Sequence, residues 1–454
     1  MSSRWLGNVA HALSVPRRHS CRRLGGGRDE SRPGRLKPAP RGVPVLLILA
    51  ALPAFTQTHA ITNTRLVPVT SPPIEHGTII IKDGKITALG GKVPVPSGAN
   101  KIDGTGLSVY PGWIDAYTTV GLNEISSVRG SVDSAEIGAF NPQAQAWIAV
   151  NPHSEIVRTT RVNGITTVLV APSGGRISGT ASAVNLFGDY PNEMTLLPQA
   201  GLILNIPSRD RRAPRGSPEE ASQGGAGRPD RVAEDLAKLR QYLREAKAYA
   251  EMRSRGGAQS DNALEAMIPV MRGQRPAICP ANHFREIRAA IDLAEEFGLK
   301  IIISGGADAW KVAGLLKQKD IAVIYTGVES LPRTPEDPYD APFTTPAALR
   351  KAGVRFAIAT GGGSGARNLP YHAAIASAYG LEREDALKAL TLWPAELLGI
   401  ADRVGSLEPG KLANLLISKG DPLDVRSEIR YVFIEGKLVP LESRNTELYQ
   451  RFLR

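Results

Sequence analysis

The chain has few of the residues that usually build metal centres and disulfides. Only two of its 454 residues are cysteine, Cys21 and Cys279, and only seven are histidine. Cys21 lies in an N-terminal stretch that we expect to be removed, so the rest of the chain has neither an internal disulfide nor a thiolate metal cluster. The histidines after residue 60 form no His-x-His or His-x-x-x-His pair: they are His76, His153, His283 and His372. The sequence therefore predicts no metal and no cofactor.

The positive charge of the chain is concentrated at one end. The net charge is +11, but residues 1–41 alone contain ten basic and two acidic residues, a net of +8. The remainder is then close to neutral, at +3. Because nucleic-acid binding needs a basic face on the folded protein, we expect no nucleic-acid partner.

No apolar run in the chain has the length of a typical membrane span. The longest run follows the basic stretch. Val43 to Phe55 is apolar over 13 residues, which is short for a membrane span, and small residues follow at Thr58 and Ala60. This order is typical of a secretory signal, so residues 1–60 predict export to the periplasm or the medium, with cleavage near Ala60. The alternative is an uncleaved signal that anchors the chain in a membrane.

Strand-like segments stand at both ends of the remaining chain. Residues 78–89 alternate β-branched runs with Lys82-Asp83-Gly84-Lys85, and Asp-Gly between such runs is a strong hairpin signal. Similar runs return at 413–417 and 431–434. We predict one small β-sandwich built from residues 61–109 and 396–440, followed by a C-terminal tail at 441–454.

The middle of the chain, residues 110–395, alternates strand-like and helix-like segments. This pattern indicates an α/β fold, a TIM-like (β/α)₈ barrel. The predicted strands are Ser108–Asp115, Ile165–Ala171, Gly201–Ile206, Pro276–Cys279, Leu299–Ser304, Ile321–Tyr325 and Val354–Ala359, with an eighth at Ala183–Phe187. The predicted helices include Asp230–Arg255, Phe284–Phe297, Ala309–Lys317 and Arg383–Leu392. Residues 207–229, rich in Pro, Gly, Ser and charge, read as a disordered insert, with a mobile lid or an anion-binding loop as the alternative.

Several motifs identify the chain as a relative of a known superfamily. Pro111 to Gly121 reads PGWIDAYTTVG, residues 386–399 read ALKALTLWPAELLG, and residues 405–411 read GSLEPGK. Together they resemble the amidohydrolase superfamily, with imidazolonepropionase-like and other cyclic-amide enzymes as the nearest in character. The resemblance implies hydrolysis of a non-peptide carbon–nitrogen bond, with zinc or another divalent metal that activates water.

The family places its metal ligands at the ends of the barrel strands, and this chain departs from that pattern. By resemblance, the two histidines of the first strand correspond to Tyr117 and Thr119. The histidines of the fifth and sixth strands correspond to Pro280 and Gly305, and the aspartate of the eighth to Gly361. None of these side chains suits zinc.

Polar side chains that follow the predicted strands are the remaining candidates for a site, because active sites of barrels gather at the carboxyl ends of their strands. The candidate catalytic residues at the barrel mouth are Asp115, Tyr117, Thr119, His153, Glu155, Arg161, Asp308, Thr360, Arg367 and Asn368. Glycine-rich turns near Arg161, Arg176 and Arg367 also suggest a small anionic ligand. The alternative is that the glycines only permit tight turns and the arginines pair with acidic residues.

Three functions remain open from the sequence. The chain is a carbon–nitrogen hydrolase with an atypical site, a pseudoenzyme that binds a ligand or acts as a scaffold, or an inactive subunit that pairs with a ligand-complete amidohydrolase. As partners we expect a small-molecule ligand and either a homo-oligomer or a hetero-oligomer with such a relative.

Overall fold

The structure is a computed structural model that describes residues 57–207, 231–257 and 259–453. The predicted leader therefore lies outside the described residues except for its last four, and so does the predicted insert except for Pro207. Within these described ranges, no helix is both long enough and apolar enough to cross a membrane.

The described residues form two sheets surrounded by helices. The strands, numbered along the chain, are β1 His59–Leu66, β2 Ile74–Lys82, β3 Lys85–Gly90, β4 Asn100–Asp103, β5 Ser108–Pro111, β6 Trp113–Thr118, β7 Ile165–Val170, β8 Ile177–Asn185, β9 Thr195–Leu204, β10 Ala277–Ala281, β11 Ile301–Gly305, β12 Ala322–Tyr325, β13 Phe356–Ile358, β14 Leu415–Lys419, β15 Glu428–Ile434 and β16 Lys437–Val439. The α-helices are α1 Glu155–Arg161, α2 Pro191–Met194, α3 Arg231–Ser254, α4 Asn262–Met271, α5 Phe284–Phe297, α6 Ala313–Gln318, α7 Ala341–Lys351, α8 Leu369–Ala378, α9 Arg383–Lys388, α10 Leu392–Leu398 and α11 Arg444–Phe452.

The first sheet takes its strands from both ends of the chain. Its order is β16-β15-β14-β5-β1-β2-β3, and β4 pairs with β1. The predicted hairpin is present, because Lys82 pairs with Lys85 around Asp83 and Gly84, both with positive φ (53° and 78°). This backbone matches the tight turn that joins twisted strands. All eight strands belong to one connected sheet, and the predicted tail contains a helix, α11.

The first sheet also changes two predicted boundaries. His59 and Ala60 belong to β1 and are buried, so the predicted leader boundary at residue 60 falls inside a strand. The predicted strand Ser108–Asp115 is divided at Gly112 between β5 in the first sheet and β6 in the second. A Cβ at Gly112 would lie 2.2 Å from Oγ1 of Thr166, so only glycine permits this close crossing between the sheets.

The second sheet is an eight-stranded, nearly closed barrel with the order β13-β12-β11-β10-β9-β8-β7-β6. Strands β6 and β7 are parallel, as are β9 to β13, whereas β8 runs antiparallel to both neighbours. The eighth strand was predicted at Ala183–Phe187, and the structure places it at Ile177–Asn185. Since β7, β8 and β9 form an antiparallel meander, the regular (β/α)₈ repeat is not observed in this part of the barrel.

Alternate residues of the barrel strands pack on opposite sides of the sheet. Ile114, Ile302 and Ile324 share an interior cluster with Ala395 and Leu398 of α10. Their neighbours in sequence, such as Ile303 and Val323, pack instead in the larger cluster that contains residues of α5 and α6. A barrel strand has the barrel interior on one side and the outer helices on the other, so its side chains alternate between the two.

The seam between the first and last barrel strands is closed by main-chain bonds at both ends. At one end, the amide of Gly361 donates to the carbonyl of Tyr117 at 3.0 Å. At the other, the carbonyls of Leu390 and Ala389 accept from the amides of Ile114 at 2.7 Å and Ile358 at 3.1 Å. The chain after α9 therefore completes the barrel between β6 and β13.

A buried network of amide side chains connects the barrel to the first sheet. Asn414 Nδ2 donates to Asn185 Oδ1 at 2.8 Å, and Asn185 Nδ2 donates to Glu435 Oε1 at 2.8 Å. Asn414 Oδ1 accepts from the amide of Glu435 at 2.8 Å, and Thr167 Oγ1 donates to Asn185 Oδ1 at 2.9 Å. Because buried amide groups are costly when unpaired, these bonds fix how the sheet sits on the barrel.

The predicted helices are largely confirmed. Helix α5 matches its predicted range, and α3 covers Arg231–Ser254 of the predicted 230–255. His283 caps α5, because its Nδ1 accepts a hydrogen bond from the amide of Arg285 at 3.2 Å. In turn, the amide of His283 donates to Oε2 of Glu286 at 3.1 Å, which completes a capping box. The predicted helix Arg383–Leu392 ends earlier, at Lys388.

Candidate functional site

The carboxyl ends of the parallel barrel strands meet at one face, which we call the barrel mouth. The seam between β6 and β13 brings four of the predicted residues together there. Asp115 Oδ1 accepts from the amides of Thr360 at 3.1 Å and Tyr117 at 3.3 Å, and Thr360 Oγ1 lies 2.5 Å from Asp115 Oδ2. Thr119 Oγ1 is 3.2 Å from the position that a Cβ at Gly363 would take. Asp115, Tyr117, Thr119 and Thr360 therefore form one group.

Asp115 is the most perturbed carboxyl group of this seam. Its side chain is fully buried, and burial raises its pKa to about 7, although the bonds from Thr360 and Tyr117 oppose the rise. A protonated carboxyl can donate one bond to Thr360 Oγ1 while its other oxygen accepts the two amide protons. Asp115 thus connects the first barrel strand to the residues after the last one. Its raised pKa means that the carboxyl group is still partly protonated near neutral pH.

Tyr117 is the largest side chain of the seam group. It is partly buried and packs against the interior cluster of the barrel. This position agrees with the resemblance, in which Tyr117 corresponds to a metal-binding histidine at the end of the first strand. A phenol is not among the ligands that zinc prefers.

A second group of charged residues lies at the ends of β10 and β11. Asp308 is fully buried and accepts from the amide of Phe284 at 3.0 Å. Lys311 Nζ lies 3.1 Å from Asp308 Oδ1 and 2.6 Å from Asp337 Oδ1, and His283 Nε2 is 3.9 Å from Asp308 Oδ2. Lys311 therefore holds the loop after β12 against the end of β11, and Asp308 has a positioning role.

The other predicted residues lie elsewhere. His153 and Glu155 are exposed beside the start of α1, where Ser154 Oγ caps the helix and Glu155 lies 3.6 Å from Arg158. Arg161 donates to the carbonyl of Leu186 at 3.4 Å and lies 5.5 Å from the Phe187 ring, beyond the far end of β8. Because β8 is antiparallel, this position is away from the mouth, and the assignment of Arg161 to the mouth is wrong.

The arginines of the predicted anion site do not converge. Arg176 forms an ion pair with Asp235 of α3. Arg367 is exposed on the short 3₁₀ turn before α8, with its carbonyl bound by Asn163 Nδ2 at 2.8 Å, and Asn368 follows it. Since Arg161 contacts Leu186, the guanidinium groups of Arg161 and Arg176 bind to different parts of the fold.

The sequence did not reveal the contact between a buried histidine, His372, and an exposed glutamate, Glu329. His372, in α8, is 3 % exposed, and its Nε2 lies 3.2 Å from Oε2 of Glu329, in the loop after β12. Burial lowers the pKa of His372 more than the charge of Glu329 raises it, so the neutral imidazole is favoured. Nothing in the sequence links His372 to a glutamate 43 positions earlier.

The strand ends were tested as a site for the divalent metal that the resemblance implies. Gly305 and Gly361 have positive φ, 95° and 76°. A Cβ at Gly305 would lie 2.5 Å from Asn282 Oδ1, and one at Gly361 would lie 3.0 Å from Thr326 Cβ. In the described ranges, no group of three or more His, Cys, Asp or Glu side chains could hold a metal ion. The described residues at these strand ends therefore do not form a set of ligands that fits the metal.

Comparison with known proteins gives a consistent family. The model of the amidohydrolase family matches residues 343–439. The amidohydrolase tasK of Hapsidospora irregularis is 23 % identical over 403 residues, which is 79 % of this chain and 39 % of that protein. The chain thus spans about two fifths of the length of this curated relative.

Solved structures extend the similarity across the barrel and the first sheet. The amidohydrolase from Thermotoga maritima MSB8 has a TM-score of 0.74 and 28 % identity, over 84 % of this chain and 99 % of that one. Molinate hydrolase, at 17 % identity and a TM-score of 0.53 over 85 % and 95 % of the two chains, shares the fold. The family match over residues 343–439 and the likeness to the Thermotoga maritima amidohydrolase support the amidohydrolase superfamily, as the motifs predicted.

Proposed function

We propose that this chain is an amidohydrolase-superfamily protein that does not catalyse metal-dependent hydrolysis and acts as a ligand-binding or partner subunit. The observation that carries the proposal is the backbone at Gly305 and Gly361. Both positions correspond to family ligands, both have positive φ, and both meet neighbouring atoms where a side chain would begin. A ligand lost by substitution alone would leave room for its return, whereas here a side chain would be strained by the positive φ and would have to displace Asn282 or Thr326.

Elemental analysis and activity assays test this proposal together. Purified protein is loaded with zinc, cobalt or manganese, desalted, and assayed on cyclic amides and dipeptides. We expect substoichiometric metal and no turnover. Stoichiometric metal with turnover that a chelator abolishes would overturn the proposal.

Restoring the missing ligands gives a sharper test. Gly361→Asp should lower the free energy of unfolding by about 1–3 kcal/mol because a side chain there is strained, and it should create no metal site. Gly362→Asp is the matched control, because nothing lies within 4 Å of its Cβ position and its φ is not positive. If Gly361→Asp were as stable as Gly362→Asp and bound zinc, the strand end would be an open ligand position.

A second candidate is metal-independent hydrolysis of a carbon–nitrogen bond, and the His372–Glu329 pair is what favours it. A neutral imidazole 3.2 Å from a carboxylate can act as a general base once water reaches its ring, and both ring nitrogens of His372 are buried in this structure. This activity would persist in chelator and would fall on His372→Gln and on Glu329→Gln. Turnover that survives both substitutions would exclude the pair.

Export and assembly are further parts of the proposal. We propose a cleaved leader, and because His59 and Ala60 are buried in β1, cleavage should fall on the N-terminal side of His59. N-terminal sequencing of the mature protein checks this, and an intact leader in the membrane fraction would instead indicate an anchor. Light scattering of the purified protein, alone and with a ligand-complete relative, separates a homo-oligomer from a hetero-oligomer.

A further inference from the structure

The last helix of the chain has an apolar face that the rest of the fold does not cover. No residue of α11 is buried, and neither is Leu453, which follows the helix. Leu448, Tyr449, Phe452 and Leu453 are 40–73 % exposed. Of the sixteen large apolar side chains that are exposed in the described ranges, four therefore lie within six consecutive positions. An apolar patch of this kind is typical of a surface that binds a partner.

The four apolar side chains share one side of the helix. Leu448 and Phe452 are four positions apart, as are Tyr449 and Leu453, and residues at this spacing lie one above the other on an α-helix. Glu447, the one acidic residue of α11, falls on the opposite side. An ordinary surface helix buries its apolar stripe against the core, whereas α11 leaves its stripe in solvent.

The start of α11 is fixed on the fold although its apolar face is exposed. Ser443 is buried, and its Oγ accepts from the amide of Thr446 at 3.4 Å, while its own amide donates to Oγ1 of Thr446 at 2.9 Å. These two bonds form a capping box, and the helix lies beside α1. The apolar face is therefore held on the surface in a defined orientation.

Two arginines border the apolar face. Arg444 and Arg451 are four positions before and three positions after Leu448, so they flank it along the helix. Neither arginine has an ion-pair partner within residues 57–207, 231–257 and 259–453. The Arg451 guanidinium carbon lies 5.7 Å from the centre of the Phe452 ring, which places a cation beside an exposed aromatic group. Because guanidinium groups bind phosphate oxygens well, this border suits a partner that carries phosphate.

The size of the face favours one kind of partner. A stable contact between two proteins takes about 20–30 residues and about 800 Å² of surface on each side. The apolar face of α11 offers four side chains on a helix about 14 Å long, far fewer than such a contact needs. A lipid surface has no such requirement, because apolar side chains enter the boundary between headgroups and acyl chains while charged ones stay among the headgroups.

We propose that α11 docks on the surface of an anionic lipid membrane. Leu448, Tyr449 and Phe452 enter the boundary between headgroups and acyl chains, and Arg444 and Arg451 bind lipid phosphates. Since the helix is short, the contact is peripheral and reversible. The proposal uses no residue of the barrel mouth, so it stands or falls independently of the proposed function.

Fluorescence of an indole placed on the apolar face tests the proposal in the full chain. Tyr449→Trp is mixed with vesicles of phosphatidylglycerol and phosphatidylcholine whose acyl chains carry bromine, which quenches indole rings that lie close to it. The emission of the parent, with its five tryptophans, is subtracted. We expect quenching by these vesicles and less of it with phosphatidylcholine alone, or in about 1 M salt, where charges are screened beyond about 3 Å.

Tyr339→Trp is the matched control, because Tyr339 is 78 % exposed and lies in the loop after β12. Its introduced indole should not be quenched. Because the readout comes from the introduced indole, attachment of the chain to vesicles through residues 1–60 would not by itself reproduce the result. An indole at position 449 that is quenched no more than the control would overturn the proposal.

Further substitutions in the Tyr449→Trp background connect the docking to the named side chains. Leu448→Ser together with Phe452→Ser should raise the lipid concentration for half-maximal quenching by about tenfold or more. Arg444→Gln together with Arg451→Gln should remove the preference for phosphatidylglycerol. Val425→Ser, at an exposed position outside α11, should change neither, and thermal unfolding checks that each variant is folded. Quenching that is unchanged in both double variants would contradict the proposed contact.

A second copy of the chain at the same face is the outcome that the experiment must separate from lipid. Light scattering without vesicles measures the oligomeric state of the parent and of the Leu448→Ser, Phe452→Ser variant. We expect the two to be the same. A dimer that dissociates in this variant, together with no quenching by vesicles, would overturn the proposal and assign the face to contact between copies.

Discussion

Asp115→Asn provides a direct test of the barrel seam. Asparagine has the shape of the protonated aspartic acid: its Oδ1 can accept from the amides of Thr360 and Tyr117, and its Nδ2 can donate to Thr360 Oγ1. The substitution therefore keeps the three contacts of the seam and removes only the ability to become charged. Any change in stability reports on the buried charge.

The sign of the effect follows from the raised pKa of Asp115. Below the ordinary value of 3.8, the carboxyl group is protonated in both the folded and the unfolded chain. Between 3.8 and about 7, the folded protein retains a proton that the unfolded chain releases, so stability falls as pH rises. Above pH 7 the loss is complete, at about 4 kcal/mol, since each pKa unit corresponds to about 1.4 kcal/mol.

Asparagine does not pay this penalty, so its advantage over aspartate should grow by about 3 kcal/mol between pH 5 and pH 8. Urea unfolding followed by circular dichroism at pH 5, 6, 7 and 8 measures it. Asp103→Asn is the control, because Asp103 is exposed and its pKa is lowered by hydrogen bonds from Thr105, so its difference from the parent should stay constant over this range. A difference for Asp115→Asn that does not depend on pH would refute the buried charge, and a loss of stability at pH 8 would refute the assigned contacts.

Two other substitutions test how the structure is held together. Asn414→Ala should lower the free energy of unfolding by about 1–3 kcal/mol, because it leaves buried groups of Asn185 and Glu435 unpaired; exposed Asn445→Ala should change little in the same urea experiment. Lys311→Met should cost about 3–5 kcal/mol because it leaves the buried Asp308 carboxylate without its cation, and adding Asp308→Asn should recover part of the loss. Equal stability of the single and double variants would show that the charge of Asp308 does not matter.

The sequence predicted those parts of the fold that depend on local patterns. Continuous β-branched runs such as Ile301–Ile303 indicated buried strands, and Asp83-Gly84 indicated its hairpin, because both signals depend on a few adjacent residues. The direction of β8 was not predictable in this way. All nine of its residues are buried, so no alternation marks its faces, and its direction depends on the partners β7 and β9.

In the candidate site, too, the sequence predicted what depends on local motifs and did not predict what depends on distant contacts. Asp115, Tyr117 and Thr119 were found because a family motif contains them, and Thr360 because it directly follows a predicted strand, Val354–Ala359. The pairing of His372 with Glu329 and the position of Arg161 depend on how distant segments pack, which local spacing does not encode. Arg161 was misplaced because a seven-residue helix carries it from the mouth end of α1 to the far end of β8.

Gly305 and Gly361, at the strand ends, differ in backbone conformation from the other positions that correspond to family ligands. Tyr117 and Thr119 replace ligands on an ordinary strand, and a reversal to histidine there would meet no backbone obstacle that the structure shows. Gly305 and Gly361 differ because their left-handed backbone brings Asn282 and Thr326 into the space of a side chain. A metal site rebuilt at Tyr117 and Thr119 alone would have two ligands, fewer than a protein zinc site needs. In the proposed function, the backbone of β11 and of the residues after β13 therefore opposes a metal site in addition to the substituted side chains at the other strand ends.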